Sequence, residues 1–128
     1  MTKDTGVAIH SDALLGKRVL LAIAGGIAAV ESVRLARELR RHQADLSVIM
    51  SEEATKIVTP LAVSWGSDTI VHQGWSSEMS QLEAFDVILI APATRNTISK
   101  HLHGIMDSPL LMALSASRGR KSKLCFVP

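Results

Sequence analysis

Two unbroken apolar runs constrain the fold of this chain more than any other feature of its sequence. They occupy positions 19–24 and 87–91, and each follows a charged residue and leads into a turn. A strand with helices on both faces of its sheet has this pattern, because it is buried on both sides. Runs of similar length occur at 45–50 and 123–127, and 69–71 is a candidate for a further short strand. The sequence therefore predicts four or five parallel strands.

Helical spacing of apolar residues fills the intervals between these runs. Apolar residues recur at positions 27, 30, 33, 36 and 39 opposite a row of arginines, which predicts an amphipathic helix of about four turns. Capping residues predict further helices beginning at 51, at 59–66 with Gly66 as the end, at 94–104 and at 109–116. One or two helical turns are predicted within 76–84. Because strands and helices alternate, the predicted fold is α/β, a doubly wound parallel sheet in three layers, α/β/α.

Composition narrows the class of protein. The 128 residues are about the length of one domain, with 1–14 predicted to be a flexible leader and 15–128 the folded domain. The net charge is +2 and aromatic residues make up 3% of the chain, which argues against a nucleic-acid partner because stacking residues are scarce. No apolar run is long enough to span a membrane, so no membrane partner is predicted. A single cysteine cannot form an intrachain disulfide, and a cytoplasmic protein is expected.

The turns that follow the strands are where a doubly wound fold binds its ligands. After the first strand, Gly25 and Gly26 allow a ligand to approach the backbone closely, and the helix that begins at Ile27 presents unpaired N–H groups to an anion. This pattern indicates a phosphate or the edge of a flavin, with an ordinary tight turn as the alternative. The turn matches neither the dinucleotide pattern G-x-G-x-x-G nor the P-loop.

Two further turns carry hydroxyl groups. Ser51 ends the second run and could donate to a phosphate oxygen, although a serine at such a place is usually only a helix cap. The turn after 87–91 supplies two hydroxyls and an amide at a helix N-terminus, which is more than capping requires. The candidate binding residues of this turn are Ala93, Thr94, Arg95, Asn96 and Thr97.

The positions of several other side chains indicate a role in packing and not in catalysis or metal binding. His101 and His103 lie two positions apart and would point to different sides of one helix, so no metal site is predicted. Cys125 lies within an apolar run and is interpreted as an inert buried thiol. Trp65 and Trp75 are expected to pack in the core or at an interface, with the covering of a flavin ring as the alternative.

Taken together, the segments 25–29, 48–56 and 91–97 resemble the homo-oligomeric flavin-containing cysteine decarboxylases, and within them the phosphopantothenoylcysteine decarboxylases of coenzyme A biosynthesis. The resemblance covers about 15–128. It implies a flavodoxin-like fold and FMN as cofactor, with Gly25, Gly26 and Ile27 lining it, Ser51 on its phosphate and 94–97 holding phosphate and ring. It also implies a small-molecule substrate, oxidative decarboxylation of a C-terminal cysteine, and a homo-oligomer that is a trimer or an assembly of trimers.

Two departures from the family pattern bear on catalysis. The family has a histidine base just ahead of the strand that matches 87–91; positions 78–86 contain no histidine, and His72 is the nearest candidate. Val127 and Pro128 match only the start of the family's Pro-x-Met-Asn substrate motif. Three alternatives stay open: a flavin prenyltransferase whose prenyl phosphate meets Arg118 or Arg120, a flavin reductase or electron carrier, and a non-catalytic regulatory subunit.

Overall fold

The computed structural model describes residues 7–75 and 84–128. Within them, five strands form one parallel sheet: β1 (Arg18–Ile23), β2 (Asp45–Met50), β3 (Val71–His72), β4 (Val87–Ile90) and β5 (Lys123–Phe126). The helices are α1 (Ser32–Arg41), α2 (Pro60–Ser67), α3 (Arg95–Leu102) and α4 (Pro109–Arg120). Short 3₁₀ helices lie at Ile27–Glu31 and Ala54–Lys56. All four strands predicted from the longer runs are confirmed, and the short strand is Val71–His72.

Alternate residues of β1 belong to different halves of the core. Val19, Leu21 and Ile23 pack in a cluster with apolar residues of α1 and α2. Leu20 and Ala22 pack in a second cluster with residues of β4 and α4. Each of these five side chains is at most 2% exposed. Because β1 is covered on both faces, the predicted doubly wound sheet in three layers is confirmed, and its central strand needs the continuous apolar run.

The strand order is β3-β2-β1-β4-β5. The chain builds outward from β1 to β3 on one side and then crosses to β4 on the other side. The point where this direction reverses lies between β1 and β4, and in open α/β sheets ligands bind at such a switch point, beyond the carboxyl ends of the strands. The three-layer parallel sheet is of the expected flavodoxin-like class. Its strand order, β3-β2-β1-β4-β5, is the one found in dinucleotide-binding folds.

Two helix boundaries differ from those predicted. The first helix starts as a 3₁₀ turn and becomes α-helical only at Ser32, since Gly26 has no side chain to cap it and the first turn tightens instead. Gly66 does not end α2, which continues to Ser67 and is capped by Asp68 at φ 53°. Gly66 is needed for packing: a Cβ there would lie 2.8 Å from Val33 Cγ1 and 2.9 Å from the Val33 carbonyl oxygen.

Other predicted elements are shorter or longer than expected. The helix predicted after Ser51 is only the 3₁₀ turn Ala54–Lys56, whereas α4 extends four residues beyond 116 and takes in Arg118 and Arg120. The turns predicted at 76–84 lie, except for Ala84, outside the described residues.

The start of the described chain lies against the end of α1. The His10 N–H donates to the Arg41 carbonyl over 2.8 Å, and the Ser11 hydroxyl lies 2.6 Å from His42 Nδ1. In the two described stretches, no helix combines the length and apolar character that crossing a membrane requires.

Candidate functional site

Hydrogen bonds across three neighbouring strands bring the three predicted turns together. The Ser51 N–H donates to the Ile23 carbonyl over 3.0 Å, which ties the end of β2 to the end of β1. On the other side of β1, the Ala24 N–H donates to the Pro92 carbonyl over 3.3 Å. Since the strands are parallel, the turns that follow them emerge at the same edge of the sheet, at the switch point.

A cleft of about 390 Å³ lies between these turns. Five predicted cofactor-binding residues line it: Gly25, Ser51, Thr94, Asn96 and Thr97. The other seven lining residues are not among the predicted site residues: Glu52, Glu53, Lys100, Asp107, Ser108, Leu110 and Leu111. The structure therefore joins at least one residue from every predicted turn in a single concave site.

A larger cavity, about 670 Å³, lies at the opposite edge of the sheet. Leu15, Asp45 and Ser67 are among its lining residues, and Asp45 begins β2. This cavity is therefore near the amino ends of the strands, which is the wrong edge for ligand binding in a doubly wound fold. The smaller cleft is the better candidate because of its position.

Gly25 allows the first turn to approach the wall of the cleft. A Cβ at this position would overlap the Glu53 side chain and lie 3.1 Å from the Glu53 carbonyl carbon. A Cβ at Gly26 would instead lie 3.5 Å from Pro92 Cγ, which is ordinary van der Waals contact. Of the two glycines, only Gly25 is required by the packing of the protein itself.

The turn after β4 presents several hydrogen-bond donors to the cleft. Thr94 caps α3, since its hydroxyl oxygen accepts from the Thr97 N–H over 3.1 Å, and the same hydroxyl donates to Thr97 Oγ1 over 2.9 Å. Thr97 Oγ1 therefore keeps its own proton for another acceptor. The N–H groups of Arg95 and Asn96 precede the first hydrogen bond within α3, so they have no acceptor in the helix. Such a set of neutral donors suits an anion.

Ser51 is placed to serve both functions predicted for it, helix capping and donation to a ligand. Its hydroxyl oxygen accepts from the Ala54 N–H over 3.1 Å, which is a capping interaction. The hydroxyl proton is not used in that bond and can be donated into the cleft. Capping and ligand binding are therefore compatible at this residue.

Charged side chains surround these neutral donors. Lys100 Nζ lies 2.9 Å from Asp107 Oδ2, and Lys56 Nζ lies 3.2 Å from Glu53 Oε2. Lys100 follows Asn96 and Thr97 by four and three positions, and this helical spacing could have indicated its place in the site. Asp107 lies in the loop between α3 and α4, so helical spacing does not predict its place beside Lys100.

The sequence profile of the Flavoprotein family matches residues 7–128. The chain belongs to this family. The coenzyme A biosynthesis bifunctional protein CoaBC of Thermococcus kodakarensis is 41% identical over 117 residues, which are 86% of this chain and 29% of that protein. The chain thus spans less than a third of the length of this relative. Together with the family match, this confirms the expected flavoprotein domain related to phosphopantothenoylcysteine decarboxylase.

Solved structures have the same fold. The FMN-dependent cysteine decarboxylase SpaF aligns with a TM-score of 0.71 at 26% identity, over 81% of this chain and 65% of that one. A PPC decarboxylase variant aligns with a TM-score of 0.64 at 22% identity, over 78% of this chain and 63% of that one. The flavodoxin-like fold expected from the family resemblance is confirmed.

Four predicted cofactor-binding residues of this flavoprotein domain do not line the cleft. Ile27 is 80% exposed, and Gly26 lies beside Pro92 and Thr94. Ala93 is buried, with its N–H donating to the Val127 carbonyl, whereas the side chain of Arg95 is exposed. These residues shape the two turns rather than the wall of the cleft.

The histidines lie elsewhere. All five are in the described part of the chain, and none is among the residues that line the cleft. His72 is half-buried at the carboxyl end of the edge strand β3, paired with Ile49. His101 is buried against the ring of Phe126 at 5.9 Å, while His103 is exposed. The prediction that His101 and His103 point to different sides is confirmed.

The prediction that Cys125 is buried is wrong, and of the packing predicted for Trp65 and Trp75 the core is excluded. Cys125 is exposed, because β5 is an edge strand and only its neighbours Leu124 and Phe126 turn toward the α4 side. Trp65 and Trp75 are 71% and 58% exposed, so they are not part of the core. For the two tryptophans, packing at an interface and covering of a flavin ring remain as the predicted roles.

The position of Arg118 and Arg120 along α4 argues against the prenyltransferase alternative. α4 begins beside the cleft, where Ser108 and Leu111 line it, and runs toward the opposite edge of the sheet. Its 12 residues span about 18 Å at 1.5 Å per residue. The last turn of α4, which contains Arg118 and Arg120, therefore lies far from the phosphate-binding side of the cleft.

Proposed function

We propose that this chain is the FMN-binding module of a decarboxylase that acts on a C-terminal cysteine. The observation that carries the proposal is the single cleft at the switch point, where Gly25, Ser51 and Thr94 converge from three strands. The donor set supports a phosphate: the hydroxyls of Ser51 and Thr97 and the first N–H groups of α3. The glycine turn supports the proposal in a different way: without a Cβ, Gly25 packs directly against Glu53, so the backbone of the turn itself forms part of the cleft wall.

The carboxylates in the cleft limit where a phosphate can lie. Glu52 and Glu53 line the wall beside Gly25, so an anion is favoured on the side of α3. That arrangement directs the rest of the cofactor toward Gly25 and the exposed Ile27. When bound, a flavin supplies the two-electron oxidation of a substrate thiol that allows carbon dioxide to leave. The protein's part is to hold the cofactor and to orient the substrate carboxylate.

His72 is proposed as the base in this reaction. It lies at the same edge of the sheet as Ser51, although outside the cleft lining. The variant His72→Asn should keep bound flavin and lose carbon dioxide release from a peptide ending in cysteine. Unchanged release would remove His72 from the mechanism.

A homo-oligomer, specifically a trimer or an assembly of trimers, is also proposed. Large apolar side chains are exposed in the turn after β1 and on α2, with Ile27 at 80%, Leu61 at 60% and Trp65 at 71%. Burying such residues against another subunit would remove apolar surface from water. Light scattering of the wild type and Trp65→Ser should show a trimer and a smaller species, respectively; a monomeric wild type would refute the assembly.

A cytoplasmic location belongs to the same proposal, since one unpaired cysteine suits a reducing compartment.

A flavin-binding subunit without catalytic activity is the second candidate. It is favoured by the lack of any of the chain's five histidines among the described residues that line the cleft. In this reading the cleft binds FMN as before, and a decarboxylating base is missing.

The visible absorption spectrum of the purified protein, with mass analysis of any released chromophore, tests the binding proposal first. Oxidised-flavin bands with released FMN would support both candidates. Carbon dioxide release from a peptide ending in cysteine then separates them, and oxidation of a nicotinamide cofactor instead would indicate a flavin reductase. A colourless protein that does not take up added FMN would overturn the proposal.

A further inference from the structure

Lys100 and Asp107 form an ion pair inside the candidate cleft. Lys100 Nζ and Asp107 Oδ2 are 2.9 Å apart, and both residues line the cleft. Lys100 lies one turn below Thr97 on the face of α3 that contains the proposed phosphate donors. Asp107 lies in the loop that leads to α4. The pair therefore links the phosphate side of the cleft to the start of α4.

The charge of the cleft makes this lysine important for an anionic ligand. Among the described residues that line the cleft, Lys100 is the one base, against the three carboxylates of Glu52, Glu53 and Asp107. Without a ligand, Lys100 is already paired. Its side chain is 32% exposed and that of Asp107 is 56% exposed, and ion pairs in such surroundings are weak. A phosphate dianion, which offers more charge and several acceptor oxygens, can compete for the ammonium group.

We propose that Lys100 changes partner from Asp107 to the phosphate when FMN binds. The inference rests on the proposed function of the cleft. Asp107 then opposes binding, because it holds the lysine away and adds a negative charge of its own. The two members of one ion pair consequently have opposite effects on cofactor affinity.

Affinities for FMN and for riboflavin, measured by quenching of flavin fluorescence at one fixed ionic strength, test this inference. Riboflavin lacks the phosphate, so the ratio of the two dissociation constants isolates the phosphate interaction. Lys100→Met should weaken FMN binding roughly 10- to 100-fold through loss of a charged hydrogen bond and leave riboflavin binding unchanged. Asp107→Asn should tighten FMN binding about two- to fivefold, again without an effect on riboflavin.

Lys17→Met is the matched control, because Lys17 is exposed just before β1 at the opposite edge of the sheet. It removes the same charge and should leave both affinities unchanged. If Asp107→Asn weakened FMN as much as Lys100→Met, the pair would be a structural brace and the inference would be overturned. Equal losses for FMN and riboflavin would overturn it too, as would a Lys17→Met effect of the same size.

The proposed function and this inference fail in different ways. A wild-type protein that binds neither flavin overturns both. A wild type that binds FMN, with a ratio of affinities that neither variant changes, overturns the inference alone.

Discussion

Gly25 and Glu53 approach each other so closely that position 25 has room for a hydrogen atom but not for a methyl group. A Cβ on Gly25 would overlap the Glu53 side chain and lie 3.3 Å from the Ala54 backbone nitrogen. The turn after β1 and the turn after β2 are thus in direct contact. This contact closes one wall of the cleft.

The variant Gly25→Ala should be destabilised by about 1–3 kcal/mol, the usual cost of forcing extra atoms into a packed site. Urea unfolding measures this change. Gly26→Ala is the control, since a Cβ there would meet Pro92 and Thr94 only at 3.5–3.6 Å, and its stability should change by less than about 0.5 kcal/mol. Equal stability of the two variants would contradict the contact.

Gly66→Ala tests the close packing of α2 on α1. The added methyl would lie 2.8 Å from Val33 Cγ1, so we expect a net loss of about 1–3 kcal/mol despite the better helix propensity of alanine. Gly119→Ala is the matched control within a helix, because no atom lies within 4 Å of a Cβ there. That control should gain up to about 1 kcal/mol. Thermal unfolding of both variants gives the comparison, and a stabilised Gly66→Ala would refute the packing argument.

Thr94→Ala should lose both stability and cofactor affinity. Removing the cap on the Thr97 N–H costs about 1 kcal/mol. The Thr97 hydroxyl also loses the hydrogen bond from Thr94 that fixes its orientation toward the cleft. Thr59→Ala removes an equivalent cap, with a 3.1 Å bond to the Ala62 N–H, at the start of α2. It should lose similar stability and keep its affinity for FMN. Equal affinities of the two variants for FMN, measured by fluorescence quenching, would show that Thr94 does not contribute to the binding site.

Glu38 should make the free energy of unfolding depend on pH in the acid range. The hydrogen bond from the Arg41 guanidinium, at 2.8 Å, and then the nearby His42 hold the pKa of the Glu38 carboxyl below its usual value. A depressed pKa in the folded state stabilises it above the unfolded pKa, and that contribution is lost as pH falls through the folded pKa. Wild type should therefore be more stable than Glu38→Gln near neutral pH, and the difference should shrink as the carboxyl is protonated.

Denaturant midpoints of both proteins between neutral pH and pH of about 3 give this measurement. Salt should reduce the difference at neutral pH because the carboxyl is solvated. A difference between the proteins that stays constant across the pH range would contradict the assignment.

Much of the fold was predictable because local sequence and tertiary structure agree. The run at 19–24 has no polar residue, and β1 is buried on both faces by two clusters that share its alternate side chains. Thr59 and Thr94 cap helices as their residue types predict. Gly66 misled the prediction, because a glycine in a helical segment can mark an end or a close contact, and only the position of Val33 distinguishes them.

The kind of site was predictable from the sequence, but only some of the residues that form it were. Glycines and hydroxyls after parallel strands indicate an anion site because of where strand ends lie, and the sequence alone determined those residues at Gly25, Ser51 and Thr94. Tertiary structure alone decided that Asp107 pairs with Lys100 there, since the pairing depends on how the loop between α3 and α4 folds back. It also decided that Cys125 is exposed, because the number of strands beside β5 and the cover over its outer face are long-range properties that no local pattern encodes.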